Sequence, residues 1–154
     1  MIETFRPLID AAKGVDLTDP AAAEAELARR LDPAGDEAAA MNRALVQLLE
    51  EGSIADRGEL PVKWGRVAKA TDATDGFSID AVHMTGPGPR HRHPRGEIDW
   101  CVPLDGSPTF DGRAPGWVVC GPDSVHVPTV AGGVMDILYF LPGGAIRFEP
   151  KPEG

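Results

Sequence analysis

Gly86-Pro87-Gly88-Pro89-Arg90-His91-Arg92-His93-Pro94-Arg95-Gly96-Glu97-Ile98-Asp99-Trp100-Cys101-Val102 is the run that decides how this chain is read. Two histidines one residue apart on extended chain point to the same face. Imidazole nitrogens and a carboxylate are the donor set of a borderline divalent metal, so His91, His93 and Glu97 are candidate ligands, with His126 a fourth downstream. The surrounding glycines and prolines favour a shaped loop over a helix. The competing reading is a solvated basic loop; the presence of both Glu97 and His126 weighs against it.

The pattern after Glu97 is period two. Ile98, Trp100 and Val102 alternate with Glu97, Asp99 and Cys101, so one strand face is apolar and the other carries two carboxylates. That carboxylate face is either solvent-exposed or lines a polar pocket; with the apolar face packed outward against helices, Glu97, Asp99 and Cys101 would line the interior. Two buried carboxylates repel unless a cation or a proton lies between them, and a metal supplies that cation. Asp99 then either takes part in proton transfer or orients a ligand.

Similar short segments run from Trp64 onward: 64–71, 77–85, 97–104, 117–120 and 134–141, separated by Gly, Pro and Asp turns. The pattern predicts a small antiparallel β-barrel. In Phe77 to His83, one face holds Phe77, Ile79, Ala81 and His83, and the other Ser78, Asp80 and Val82. Residues 1–63 read instead as a helical segment packed on the barrel domain, 64–154. Asp19-Pro20 is a helix start that should run through Leu27 and Leu31 and stop before Pro33. Asp36 starts another; Met41, Leu45, Leu48 and Leu49 form its apolar stripe and Gly52 its C-terminal stop. That stripe either covers the barrel or forms a dimer contact.

Composition narrows the partners. The chain has 154 residues and a net charge of −9, which disfavours nucleic acid and anionic membrane surfaces. Against this acidity, residues 86–95 hold Arg90, Arg92 and Arg95 with no acidic residue, a local field that attracts an anion. The competing reading pairs each arginine with an acidic neighbour. Cys101 and Cys120 stand alone in apolar segments, so neither a disulfide framework nor a zinc knuckle is indicated. Charges interrupt the N-terminal apolar residues, and the expectation is a cytoplasmic protein with no signal peptide or membrane span. Edge strands of small barrels are protected by pairing, so a homodimer is expected.

At these residues the chain resembles the cupin superfamily: Gly86, His91, His93, Glu97 and Gly106 match its first motif, and Gly116, Pro122 and His126 its second. Four departures stand out. The Gly86 to His91 gap is one residue short, Gly106 is two late, Ser124 replaces a glycine, and His126 is one early. A narrower resemblance covers most of the chain, including 91–99, 110–119 and 122–129: it looks like the 4-hydroxylaminobenzoate lyase family of bacterial nitroarene catabolism. That resemblance implies a cupin-like fold and conversion of 4-hydroxylaminobenzoate to protocatechuate with release of ammonia.

Such chemistry needs an acid for the leaving oxygen, a positioned water and a base for the ring proton, but no nucleotide or flavin. Glu97 or Asp99 suits the proton shuttle, with His83 a weaker candidate. Arg90, Arg92 or Arg95 suits the carboxylate of a small aromatic substrate. A divalent metal at His91, His93, Glu97 and His126 polarises the hydroxylamino oxygen or activates water. Two rival readings are a metal-dependent dioxygenase or isomerase of a small organic acid, which oxygen dependence separates, and a non-catalytic small-anion-binding cupin.

Overall fold

The computed structural model describes residues 1–149; positions 150–154 of the expected barrel domain lie outside the described residues. Three helices come first: α1 (Arg6–Ala12), α2 (Pro20–Arg30) and α3 (Asp36–Glu50). The strands follow: β1 (Arg57–Glu59), β2 (Val62–Ala68), β3 (Phe77–Met84), β4 (His91–His93), β5 (Glu97–Phe110), β6 (Gly116–Cys120), β7 (Ser124–His126), β8 (Val130–Pro142) and β9 (Arg147–Phe148). The helix signals act as expected. Asp19 accepts a hydrogen bond from the Ala22 amide and Pro20 opens α2. Gly52, at φ +73°, ends α3 by donating to Leu49, while Ser53 donates to Leu48.

The strands form two antiparallel sheets, β1-β2-β3-β8-β5-β6 and β7-β4-β9. The expected small barrel is thus realised as two antiparallel sheets; among the described residues, strand pairing does not close them into one ring. Strand structure also begins earlier than Trp64, at Arg57. The short strand β4 falls in the run read as a shaped loop, β7 and β9 lie outside the strand segments read from the sequence, and together the three make the smaller sheet.

Both faces of the larger sheet are buried. On one, Ile79, Ala81, Ile98, Trp100, Val102, Leu138 and Phe140 join Phe5, Leu8, Ile9, Leu27 and Leu45 of the helical segment in a single core. Met41 and Leu45 are buried in it, with Leu48 and Leu49 packed against it, so the α3 stripe covers the sheet. The Trp100 indole stacks edge-on against Trp117, centroids 4.8 Å apart, and donates to Asn42 Oδ1 at 2.8 Å. On the other face, Val82, Met84, Cys101, Val118, Met135, Ile137 and Tyr139 form a second core with Phe110 and Val130. This is the alternation expected of the β5 sequence, and it turns Cys101 and both carboxylates inward.

The edge strand β6 is covered by α2. Its Val119 amide donates to Glu24 Oε1 at 2.9 Å, and the same carboxylate is ion-paired with Arg113. A strand edge that would otherwise present free N–H groups is thereby closed. At the opposite edge, all three residues of β1 are exposed.

The link from β4 to β5 positions the site. Pro94, Arg95 and Gly96 carry the chain from the smaller sheet to the larger, with Gly96 donating to His93 O at 3.1 Å. Gly96 has φ +84°, and a Cβ there would lie 2.9 Å from the Cys120 carbonyl oxygen. No other residue gives so tight a crossing without strain.

Candidate metal centre

Three imidazoles converge because two short strands pair in one register. His91 lies directly opposite His126 across β4 and β7, and His93 shares the His91 face of β4. The one-residue-early arrival of His126 is therefore immaterial: strand pairing, not loop length, sets its place. The Nε2 atoms of His91, His93 and His126 form a triangle with every edge 2.9 Å. Glu97, first residue of β5 in the opposing sheet, brings Oε2 to 3.2 Å from His93 Nε2. That approach is not aligned as a hydrogen bond, and among the described residues both Glu97 oxygens lack a hydrogen-bond partner.

The Nδ1 partners fix the proton positions. His91 Nδ1 donates to the Pro89 carbonyl at 2.9 Å, and His126 Nδ1 to Asp111 Oδ2 at 2.6 Å. In neutral His91 and His126 the facing Nε2 atoms are therefore bare lone pairs. Burial, reinforced by the neighbouring histidines, lowers His91 to about 4 and His93 to about 3, so both are neutral at pH 7. Lone pairs held 2.9 Å apart repel unless a cation sits among them.

Residues 97–99 make the same demand. Glu97 and Asp99 are fully buried, and among the described residues all four of their carboxylate oxygens are without a hydrogen-bond partner. Burial pushes both well above the usual carboxylate range, and for Glu97 the adjacent Asp99 charge adds to the effect. Cys120 lies against this pair, with its thiol pushed up by burial. The donor set fits a divalent ion: with metal–nitrogen bonds of about 2.0–2.1 Å, nitrogens 2.9 Å apart subtend about 90°.

Comparison with known proteins places this chain. The profile of the 4-hydroxylaminobenzoate lyase family matches residues 6–148. The chain belongs to that family. A 4-hydroxylaminobenzoate lyase of Nocardioides sp. (strain LMS-CY) is 35% identical over 95 residues, covering 56% of each chain. One from Pseudomonas putida is 32% identical over 83 residues, 51% of this chain and 47% of that one. The chain spans about half the length of the curated relatives it matches. Among solved structures, an RmlC-like cupin protein from Ralstonia eutropha JMP134 has TM-score 0.44 and 15% identity, covering 62% of this chain and 64% of that one. A salicylate 1,2-dioxygenase from Pseudoaminobacter salicylatoxidans has TM-score 0.42 and 12% identity, covering 71% and 34%.

In this lyase-family chain the other expected site residues separate. His83 does not join the cluster. It sits on the helix-facing side of β3, where Nδ1 contacts Asp136 Oδ1 at 2.9 Å across the β3–β8 pairing. The reason is parity: an odd position shares the face of Ile79 and Ala81, away from the interior. Arg92 alternates away from the histidines and is held by Glu149 at 2.7 Å and by the Asp123 carbonyl at 3.0 Å. Arg95 is exposed, its guanidinium lying over Gly143. Arg90 keeps a buried Nε with no hydrogen-bond partner among the described residues.

Sequence reasoning missed Asp111, which contacts His126 from a hairpin turn; an Asp-Gly pair reads only as turn chemistry. It also missed the His83–Asp136 pair, which has a testable consequence. Burial raises Asp136 from 3.8 to about 6, opposed in part by His83. A carboxyl with a raised folded pKa holds its proton more tightly when folded, so its contribution is full below pH 3.8 and is lost as pH rises through about 6. Asp136→Asn keeps an acceptor for His83 and removes that loss. Urea melts at pH 4 and pH 7 should show the variant gaining on the order of 2 kcal/mol relative to wild type at the higher pH. Equal differences at both pH values would show that Asp136 does not titrate in this way.

Proposed function

We propose that this chain is a lyase that converts 4-hydroxylaminobenzoate, or a closely related aryl hydroxylamine acid, to a dihydroxybenzoate, protocatechuate, with release of ammonia. Membership of the family supports the reaction class. The observation that carries the reading is the triangle of Nε2 atoms with Glu97 against it and Asp99 next to Glu97, both buried carboxyls without a hydrogen-bond partner among the described residues, a set that suits a metal with a proton store beside it. The overall conversion consumes one water and expels one ammonia. The N–O bond accepts the two electrons that the ring gives up, so no external redox cofactor is needed.

His91, His93, His126 and Glu97 hold the divalent ion, which when bound supplies a Lewis acid beside the reacting group. The remaining work falls to the chain. Asp99, kept protonated by burial, delivers a proton to the departing N-hydroxyl oxygen. Its carboxylate then accepts the ring proton displaced where oxygen has been added. Met84, Phe110, Ile137 and Tyr139 form the apolar wall that excludes bulk water around an aromatic ring. Arg90, whose buried Nε has no hydrogen-bond partner among the described residues, takes the substrate carboxylate. Free thiols at Cys101 and Cys120 and the acidic balance support a cytoplasmic enzyme, and the open β1 edge a homodimer. None of the helices described is long and apolar enough to cross a membrane.

The test is ammonia and protocatechuate formation from 4-hydroxylaminobenzoate under anaerobic conditions, alongside metal analysis. Folded, fully metallated protein that releases no ammonia would end the lyase reading, and strict oxygen dependence would replace it with an oxygenase. Arg90→Ala should raise KM about tenfold or more with little change in kcat, because the carboxylate contact is made equally in ground and transition states. Phenylhydroxylamine reacting with wild type as efficiently as its carboxylated analogue would remove that role.

A further inference from the structure

The three histidines differ in what stands behind them. His91 Nδ1 donates to a neutral carbonyl, His93 Nδ1 is buried with no partner among the described residues, and His126 Nδ1 meets the carboxylate of Asp111 at 2.6 Å. Asp111 is itself clamped. It occupies the turn joining β5 to β6 with φ +50°, closed by reciprocal hydrogen bonds between Phe110 and Arg113 at 2.9 and 2.8 Å. Its Oδ1 accepts the Thr129 amide at 2.8 Å, and its own amide donates to the Thr129 carbonyl at 2.9 Å. One carboxylate thus ties the β5–β6 turn to the segment after β7 and spends both oxygens as acceptors. Phe110 packs its ring edge-on to His126, centroids 6.2 Å apart, which closes the other side of the imidazole.

From this arrangement we infer that Asp111 is the positioning residue of the metal centre. It fixes His126 as the Nδ1–H tautomer, aims Nε2 at the ion and raises that nitrogen's donor strength above that of its two companions. The inference rests on the metal-binding reading above. His126 needs such support more than His91 or His93 do. Its strand has three residues and pairs on one side only, with β4, so backbone pairing alone leaves the ring free to turn. A carboxylate behind a ligating histidine holds the tautomer and strengthens the ligand, and losing one typically costs 10–100-fold in metal affinity.

Asn is the informative replacement because Asp111 accepts two N–H groups at once. An amide offers one oxygen, so Asp111→Asn must give up either His126 or Thr129. The experiment uses the full chain. Zn2+ affinity is measured by competition with a chromophoric chelator for wild type and Asp111→Asn, and the His126 tautomer is read from imidazole 15N shifts of the metal-free proteins. The expected result is Nδ1–H in wild type and a 10–100-fold weaker Zn2+ affinity in the variant. Equal affinity in a folded variant overturns the role of Asp111 and leaves the metal reading standing. Wild-type protein that takes up no Zn2+ overturns both. Should the variant fail to fold, the wild-type spectrum decides alone: His126 as the Nε2–H tautomer overturns the inference, and Nδ1–H supports it.

Discussion

His93→Ala should abolish metal uptake at the centre and reduce ammonia release by about a thousandfold or more. A ligated ion contributes several kcal/mol of charge stabilisation, and about 4 kcal/mol corresponds to that factor in rate. His93 is the sharpest of the ligands to test because its ring makes no hydrogen bond through Nδ1. A structural histidine would lower stability when removed. Here the metal-free variant should be at least as stable as metal-free wild type at low pH, because a buried imidazole that resists protonation has gone. The sign follows from linkage. His93 falls to about 3 in the folded protein from an ordinary 6.5, so the unfolded chain binds the proton first and stability is lost as pH falls below 6.5. The acid limb of the stability curve should become shallower in His93→Ala. Undiminished metal content in the folded variant, measured by elemental analysis, would remove His93 from the ligand set.

Trp100→Ala should be the most damaging single change to the fold, costing about 3–5 kcal/mol. The side chain is 1% exposed, stacks on Trp117 and reaches Asn42 of α3, so its loss opens a cavity between sheet and helices and strands a polar partner. Against the 5–15 kcal/mol typical of a domain, that is a large fraction. Denaturant melts check it. A cost below about 1 kcal/mol would mean that the helical segment is not held to the sheet through this residue.

How much of this was legible in the sequence depended on the length of the periodic signal. The 14 residues of β5 carry enough alternation to put Trp100 and Asp99 on opposite faces. The strands holding His91, His93 and His126 have three residues each and no period to read. Their pairing emerges only once the two sheets face each other. His83 is a different case: the alternation already put it with Ile79 and Ala81, and the strand's parity outweighed the appeal of another histidine. For Arg92, spacing revealed a positive field but not that Glu149, 57 positions away, absorbs it. Asp111 was invisible for the same reason, since its partner lies 15 residues along the chain across a turn.

The cover over β6 has a consequence in time. Glu24 and the Val119 amide it accepts are 95 residues apart. At a synthesis rate of about 5–20 residues per second, α2 is made roughly 5 to 20 seconds before the strand it must protect. Throughout that interval Leu27, fully buried in the finished protein, has no sheet to rest on, and α2 depends on its own charged residues Glu24, Glu26, Arg29 and Arg30 to stay soluble.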